Sequence, residues 1–262
     1  MFNLLGKVAL ITGGASGIGF SLAQELLRNG LKGVAICDVN KDNGFKAIEK
    51  LKNLFGEGKA IFIELNVVDR KQFDDAFQTT IEVFKNLDIV VNSAGIIKED
   101  KWEEEIAVNL GGTVSGTYLA VEKYLPKYRS EDEAVVVNVS SIVGFQLSYG
   151  NPVYTATKHG IIGLSRAFGG NVHYERTKVK VLTICPGFTN TPLSNPSYRS
   201  YLGPHYENVL REFVGSAYYQ TVEALSNGII KMIVEGKTGS VWVSEDDKDA
   251  YEIEFSVKPC KT

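Results

Sequence analysis

Cysteine is scarce in this chain: Cys37, Cys185 and Cys260 are the only three in 262 residues, and they lie far apart. An odd, sparse set excludes a disulfide framework and fits a reducing, cytoplasmic setting. Histidine is equally rare, and no Cys/His cluster has metal-ligand spacing, so no metal is expected. No long basic run occurs and the formal net charge is −3. Nucleic acid and anionic membrane surfaces therefore find no electrostatic footprint. No stretch approaches the ~20 apolar residues of a membrane span. The apolar run Gly6–Ile11 near Met1 is too short for a secretory signal and ends in glycines rather than a cleavage site. A G-x-S-x-G elbow is absent, which removes the usual hydrolase nucleophile of an α/β sheet. Fixed-period repeats, low-complexity tracts and dividing linkers are missing too, so residues 1–262 read as one domain.

What is present has a regular plan. Hydrophobic content of 44% and charged content of 23% fit an ordinary globular protein. Short β-branched runs (Val8–Ile11, Val34–Cys37, Ala60–Leu65, Ile89–Val91, Ala134–Val139, Val179–Cys185 and Ser240–Val243) are mostly apolar throughout. That is the pattern of strands covered on both faces. Helical-length segments lie between them, at Gly17–Asn29, Asn43–Phe55, Arg70–Lys85, Glu103–Tyr124, Val153–Tyr174 and Tyr218–Glu235. The alternation predicts an α/β fold: one doubly wound, Rossmann-type parallel sheet of about seven strands with helices on both faces. The stretch Phe188–Phe213 has three prolines and no long period, and reads as an excursion over the ligand-binding end of the sheet.

The first predicted strand runs into Thr12-Gly13-Gly14-Ala15-Ser16-Gly17-Ile18-Gly19 before a helix. Gly13, Gly17 and Gly19 suit a tight turn, close approach of a pyrophosphate and close helix–strand packing. The helix end offers N–H groups to phosphates. Asp38 ends the second strand, where a carboxylate accepts from an adenosine ribose diol and repels a 2′-phosphate. With no Arg or Lys at positions 14–16 or 39, NAD is favoured over NADP. Asn66 and Val67 close the third strand, where an amide can read an adenine edge. Asn92-Ser93-Ala94-Gly95 closes the fourth with small residues that admit a cofactor, and Asn92 can tie strand ends together.

Tyr154 and Lys158 stand four apart, on one face of a predicted helix. A free phenol titrates at ~10, and bringing it to ~7 takes roughly 4 kcal/mol of differential stabilisation. Ser141 ends a strand thirteen residues earlier. His159, His173 and His205 have no visible partners and receive no chemistry.

Taken together, Thr12–Gly19, Asp38, Asn92–Gly95, Asn109, Asn138–Ser141, Tyr154–Lys158 and Pro186-Gly187 with Thr191 resemble the short-chain dehydrogenase/reductase family over nearly the whole chain. The stretch Gly144-Phe145 to Pro152-Val153 is similar to insect-type short-chain alcohol dehydrogenases. Lys158–Gly163 and Pro186–Thr191 are similar to NAD-dependent 15-hydroxyprostaglandin dehydrogenases. The resemblance implies Tyr154 as general acid/base, Lys158 lowering its pKa and binding the nicotinamide ribose, Ser141 bonding the substrate oxygen, and Asn109 holding a water. It implies cofactor contacts from Gly13, Ser16, Gly17, Ile18, Gly19, Asp38, Asn66, Val67, Asn92, Ala94, Gly95, Tyr154, Lys158, Pro186, Gly187, Phe188, Thr189 and Thr191. Asn66 departs from the usual Asp. Ser141, Phe145, Asn151, Tyr154 and Phe188 are the candidate substrate contacts, with Leu147 adding apolar lining.

The expected function is NAD-dependent oxidation of a lipophilic secondary alcohol, such as a hydroxylated fatty acid, prostanoid, steroid or terpenoid, to the ketone. Small aliphatic alcohols, or a non-catalytic NAD- or lipid-binding or storage role, are the alternatives. Family members usually pair through the Glu103–Tyr124 and Val153–Tyr174 helices, whose glycines (Gly111, Gly112, Gly116, Gly163, Gly169, Gly170) suit close packing. A homodimer or homotetramer is therefore expected.

Overall fold

The computed structural model describes residues 1–215 and 217–255, so Cys260 lies outside the described residues. The chain begins β1 (Val8–Thr12), α1 (Gly17–Arg28), β2 (Gly33–Asp38), α2 (Lys41–Phe55), β3 (Ala60–Glu64), α3 (Arg70–Phe84), β4 (Ile89–Asn92) and a short β5 (Ile97–Lys98). A long helical rod follows: α4 (Trp102–Ile106), a wide π turn (Ala107–Gly112), α5 (Thr113–Tyr118), a second π turn (Leu119–Tyr124) and α6 (Leu125–Tyr128). Then come β6 (Ala134–Val139), α7 (Pro152–Phe168), α8 (Asn171–Thr177), β7 (Val179–Pro186) and β8 (Arg199–Ser200). The chain continues through α9 (Pro204–Val214), α10 (Val222–Glu235), β9 (Val241–Ser244) and β10 (Tyr251–Ile253).

The main sheet runs β10-β9-β7-β6-β4-β1-β2-β3. Seven strands pair in parallel and β10 runs antiparallel along β9. The expected seven strands are present, and the eighth comes from the tail. Its short Tyr251–Ile253 run is exposed or half-buried, and so lacks the unbroken apolar signature of the others.

Alternating side chains explain why β1 is buried throughout. Ala9 and Ile11 join one core with Leu22, Leu26, Leu51 and Ile229 of α1, α2 and α10. Val8 and Leu10 face the opposite core with Phe73, Phe77 and Val121. Helix starts follow side-chain caps. Asn40 accepts the Asn43 N–H at 3.0 Å, and Asp69 accepts those of Lys71 and Gln72 at 2.9 and 3.0 Å. Thr221 accepts the Ala224 N–H at 3.2 Å, so α10 begins after it rather than at Tyr218. The expected helix Val153–Tyr174 divides at Gly169-Gly170, because the Gly169 backbone packs against Gly239, 2.4 Å from where a Cβ would sit.

The glycines assigned to helix pairing are largely used within the chain. A Cβ on Gly112 would stand 2.7 Å from Val67, and one on Gly116 would stand 2.0 Å from Asn92. Gly163 faces open space. Among the described residues no helix is long and apolar enough to cross a membrane.

Candidate active site

The carboxyl ends of β4, β6 and β7, with Ile18 of α1, open into one cleft of about 820 Å³, counting its solvent-open mouth. That is where an open α/β sheet places its ligand. Thr12 Oγ1 ties two of its loops together, accepting the N–H groups of Ser93 and Ala94 at 3.1 and 3.2 Å. Gly13 has φ +64°, and a Cβ there would stand 3.0 Å from Ala94 Cα. A Cβ on Gly19 would stand 2.4 Å from the Gly13 carbonyl oxygen, so the turn closes on the helix only with glycine at that position. Gly17 looks across at Thr191, 3.4 Å from its Cβ position. Ser16 makes no side-chain cap and the first turn of α1 holds no acid. The turn thus presents the N-terminus of α1 without a capping side chain or an acid in its first turn, as suits an anion.

Asp38 is half-buried beside this turn, its carboxylate accepting the N–H of Ala15 at 3.1 Å and of Asn40 at 3.0 Å. Asn66 is exposed; its Oδ1 accepts the Val68 N–H at 3.1 Å, a local turn that leaves the amide NH2 for any further contact. Val67 is buried against Gly112. Asn92 is buried and spends its NH2 on Asn138 (2.8 Å) and Thr117 (3.3 Å), tying β4 to β6.

Tyr154 and Lys158 lie on one face of α7, 9% and 5% exposed. Lys158 Nζ sits 5.3 Å from the Tyr154 ring centroid and donates to the Val139 carbonyl at 3.0 Å. Ser141 lines the same cleft, half-buried, and its Oγ accepts the Val143 N–H at 3.3 Å. Asn109 occupies the first π turn, a distortion that recurs at functional sites. Its amide accepts the Ile96 N–H at 2.8 Å and donates to the Ile96 carbonyl at 2.9 Å. A Cβ on Gly95 would stand 3.3 Å from Asn109 Oδ1 and 3.8 Å from Lys158 Nζ, so these three residues share one corner.

Ile18, Gly95, Asn151, Pro186, Gly187, Phe188, Thr189 and Thr191 complete the predicted residues along the cleft wall. Phe145 packs instead beside the small cluster of Ile142, Val143 and Ile162, and Leu147 is 59% exposed; neither lines the cleft.

The electrostatics differ from the sequence expectation. Burial raises the Tyr154 phenol well above its ordinary value; the Arg199 guanidinium opposes this, Glu105 adds to it and the Ser141 hydroxyl opposes it. Lys158 is itself lowered to about 8, first by burial. Among the chain's own groups, loss of water around the phenol outweighs every cation. The expectation that Lys158 lowers the phenol is therefore not met by the protein alone.

Several residues here carried no sequence signal. Glu99 is fully buried, and its carboxylate accepts the N–H of Val153 at 3.1 Å and of Tyr154 at 2.8 Å. It caps α7 from a distant segment. Asn151, at the position where an Asn usually caps, makes no cap bond. Its Oδ1 is buried without a partner among the described residues, as is Ser148 Oγ, and both residues line the cleft. Glu105 is also fully buried; one oxygen accepts the Lys98 N–H at 2.6 Å and the other has no partner. Burial, then the neighbouring Glu99, raises it to about 7 against the pull of the Lys98 N–H and of Lys158. In sequence both acids sit in charge runs that read as solvated surface.

A family profile described as short chain dehydrogenase matches residues 7–201. The chain belongs to the short-chain dehydrogenase family. Rat 15-hydroxyprostaglandin dehydrogenase [NAD(+)] is 37% identical over 231 residues, which cover 87% of this chain and 86% of the rat protein. Alcohol dehydrogenase 1 of Ceratitis capitata is 26% identical over 245 residues, covering 89% of this chain and 94% of the fly protein. The crystal structure of 3-ketoacyl-(acyl-carrier-protein) reductase from Brucella melitensis complexed with NADH has a TM-score of 0.75 at 22% identity. It covers 92% of this chain and 97% of that one. That likeness shows the fold. Membership of the short-chain dehydrogenase family makes this chain an oxidoreductase and accounts for the juxtaposition of glycine turn, Ser141, Tyr154 and Lys158.

Proposed function

We propose that this chain is an NAD-dependent dehydrogenase that converts a secondary alcohol to the ketone. The observation that carries this is the convergence of the Tyr154 phenol, the Ser141 hydroxyl and the Lys158 ammonium in one cleft, whose wall also includes Ile18 from the start of α1. Tyr154 takes the alcohol proton at Oη in its phenolate form, Ser141 Oγ orients the alcohol oxygen, and Lys158 holds positive charge that favours that phenolate. Bound NAD supplies the hydride acceptor and a positive ring. Asp38 and the α1 N-terminus suit the ribose and pyrophosphate, and Asn109 fixes the Gly95–Ile96 backbone beside Lys158. The relatives named for NAD(+) support the choice of cofactor.

Phe188, Leu193, Leu210 and Phe213 give the far wall an apolar character, which favours a lipophilic alcohol over a small aliphatic one. Pairing into dimers through α5 and α7 fits the exposed Val114 and Tyr118 and the open face at Gly163. The test is NADH formation from NAD against a panel of secondary alcohols, with Tyr154→Phe alongside. Loss of about a hundredfold or more in kcat with unchanged NAD affinity is expected. Equal rates for the two proteins would overturn the mechanism, and NAD binding without turnover of any alcohol would favour a binding or storage protein.

A further inference from the structure

One cation in the cleft has no role in the reaction just described. Arg199 stands in β8, which pairs with β5 so that Arg199 is opposite Ile97, next to the Gly95–Ile96 backbone. Its side chain is half-buried, and Nε donates to the Leu193 carbonyl at 2.8 Å. Strand pairing and this bond together hold the side chain of Arg199, a residue of the cleft wall. The acids that follow β5 in the chain are engaged elsewhere. Glu99 takes two α7 amides, Glu105 takes the Lys98 N–H, and the Asp100 carboxylate accepts from the Ser200 hydroxyl. Among the described residues no carboxylate forms an ion pair with Arg199.

A positioned guanidinium with no carboxylate partner among the described residues is placed to receive an anion entering the cleft. Its planar fork matches a carboxylate. Ser148 Oγ and Asn151 Oδ1, at 3% and 5% residue exposure, add two orphaned polar atoms to the same cleft. Such a set is out of place if the ligand is hydrocarbon apart from its alcohol.

We propose that the substrate is a hydroxy acid whose carboxylate lies a few bonds from the carbinol and is received by Arg199, with Ser148 offering its hydroxyl to the same end of the molecule. The short separation follows from the packing: Arg199 is paired with Ile97, and Ile97 shares a buried cluster with Tyr154, so anion and carbinol lie at one end of the cleft. A long chain would then extend along Phe188, Leu210 and Phe213. This rests on the dehydrogenase reading for its turnover assay, though not for its binding assay.

The experiment uses β-, γ- and δ-hydroxyoctanoate, their methyl esters, and a long-chain acid with its hydroxyl in mid-chain. Each is assayed for NADH formation, and β-hydroxyoctanoate is also titrated calorimetrically into enzyme saturated with NADH. Wild type should favour at least one short-separation acid over its ester by about ten- to a hundredfold in kcat/KM, the worth of a charge-assisted contact. In Arg199→Gln that ratio should collapse towards one, and Arg199→Lys should restore part of it. The mid-chain acid should show no such dependence on Arg199. An acid-to-ester ratio near one in wild type, or a ratio unchanged in Arg199→Gln, would overturn the proposal while leaving the dehydrogenase intact. If no alcohol is oxidised the dehydrogenase reading falls, and the calorimetric arm decides the proposal alone. Binding lost in Arg199→Gln supports it, and binding absent in wild type or retained in the variant overturns it.

Discussion

Glu105 gives the sharpest stability prediction. Its side chain is fully buried, with one oxygen bonded to the Lys98 N–H and the other without a partner. Burial raises its carboxyl from the ordinary 4.5 to about 7. The folded protein therefore holds a proton that the unfolded chain has already released between those two values. A carboxyl raised in this way contributes stability that is fully present below pH 4.5 and is lost as pH climbs to about 7. At ~1.4 kcal/mol per pH unit the loss is roughly 3 kcal/mol. Glu105→Gln keeps the acceptor for Lys98 and cannot ionise, so it should escape this loss. Urea unfolding of both proteins at each pH step isolates the Glu105 contribution, since Glu99, Lys158, Tyr154 and Arg199 are present in each. The variant should gain roughly 3 kcal/mol on wild type across the window, or about 6–12 °C in melting temperature for a chain of this size. The gain should stay level above it. A stability difference that is constant with pH, or that shifts in favour of wild type as pH rises, would refute the reasoning.

Removing the cap on α7 should hurt both stability and catalysis. Glu99→Ala strips the acceptor from the Val153 and Tyr154 N–H groups, and a loss of about 1–3 kcal/mol in urea unfolding is expected. Because one of those amides is that of Tyr154 itself, kcat should fall more than KM rises, and Glu99→Gln, which keeps one acceptor, should lie between. Asp38→Ala removes the acceptor from Ala15 and Asn40 and the charge beside the glycine turn. It should raise the NAD Kd about tenfold and shift the NADP-to-NAD preference upward in coenzyme titrations.

The fold was legible where burial is total. Mostly apolar runs marked all seven parallel strands, because a strand with little solvent-facing side chain has few polar positions to confuse the pattern. Antiparallel β10 escaped because a short edge strand carries little buried surface. The glycine turn, Ser141, Tyr154 and Lys158 could be found because their chemistry ties residue type to spacing. Helix ends were less legible. The break at Gly169 depends on Gly239, seventy positions away, and the start of α7 depends on Glu99, which no local pattern connects to it.

The βα alternation was legible from local periodicity, and the motifs that carry the family resemblance were legible from residue type and order along the chain. Tertiary structure decided the environment those residues meet. It buried Tyr154 deeply enough that desolvation outweighs the nearby cations, and buried Glu105 with one oxygen left without a partner. It folded the Arg199 strand against β5, so that a second cation besides Lys158 lines the cleft. Burial and long-range charge depend on which distant segments meet, and that is settled only when the sheet and its loops have closed.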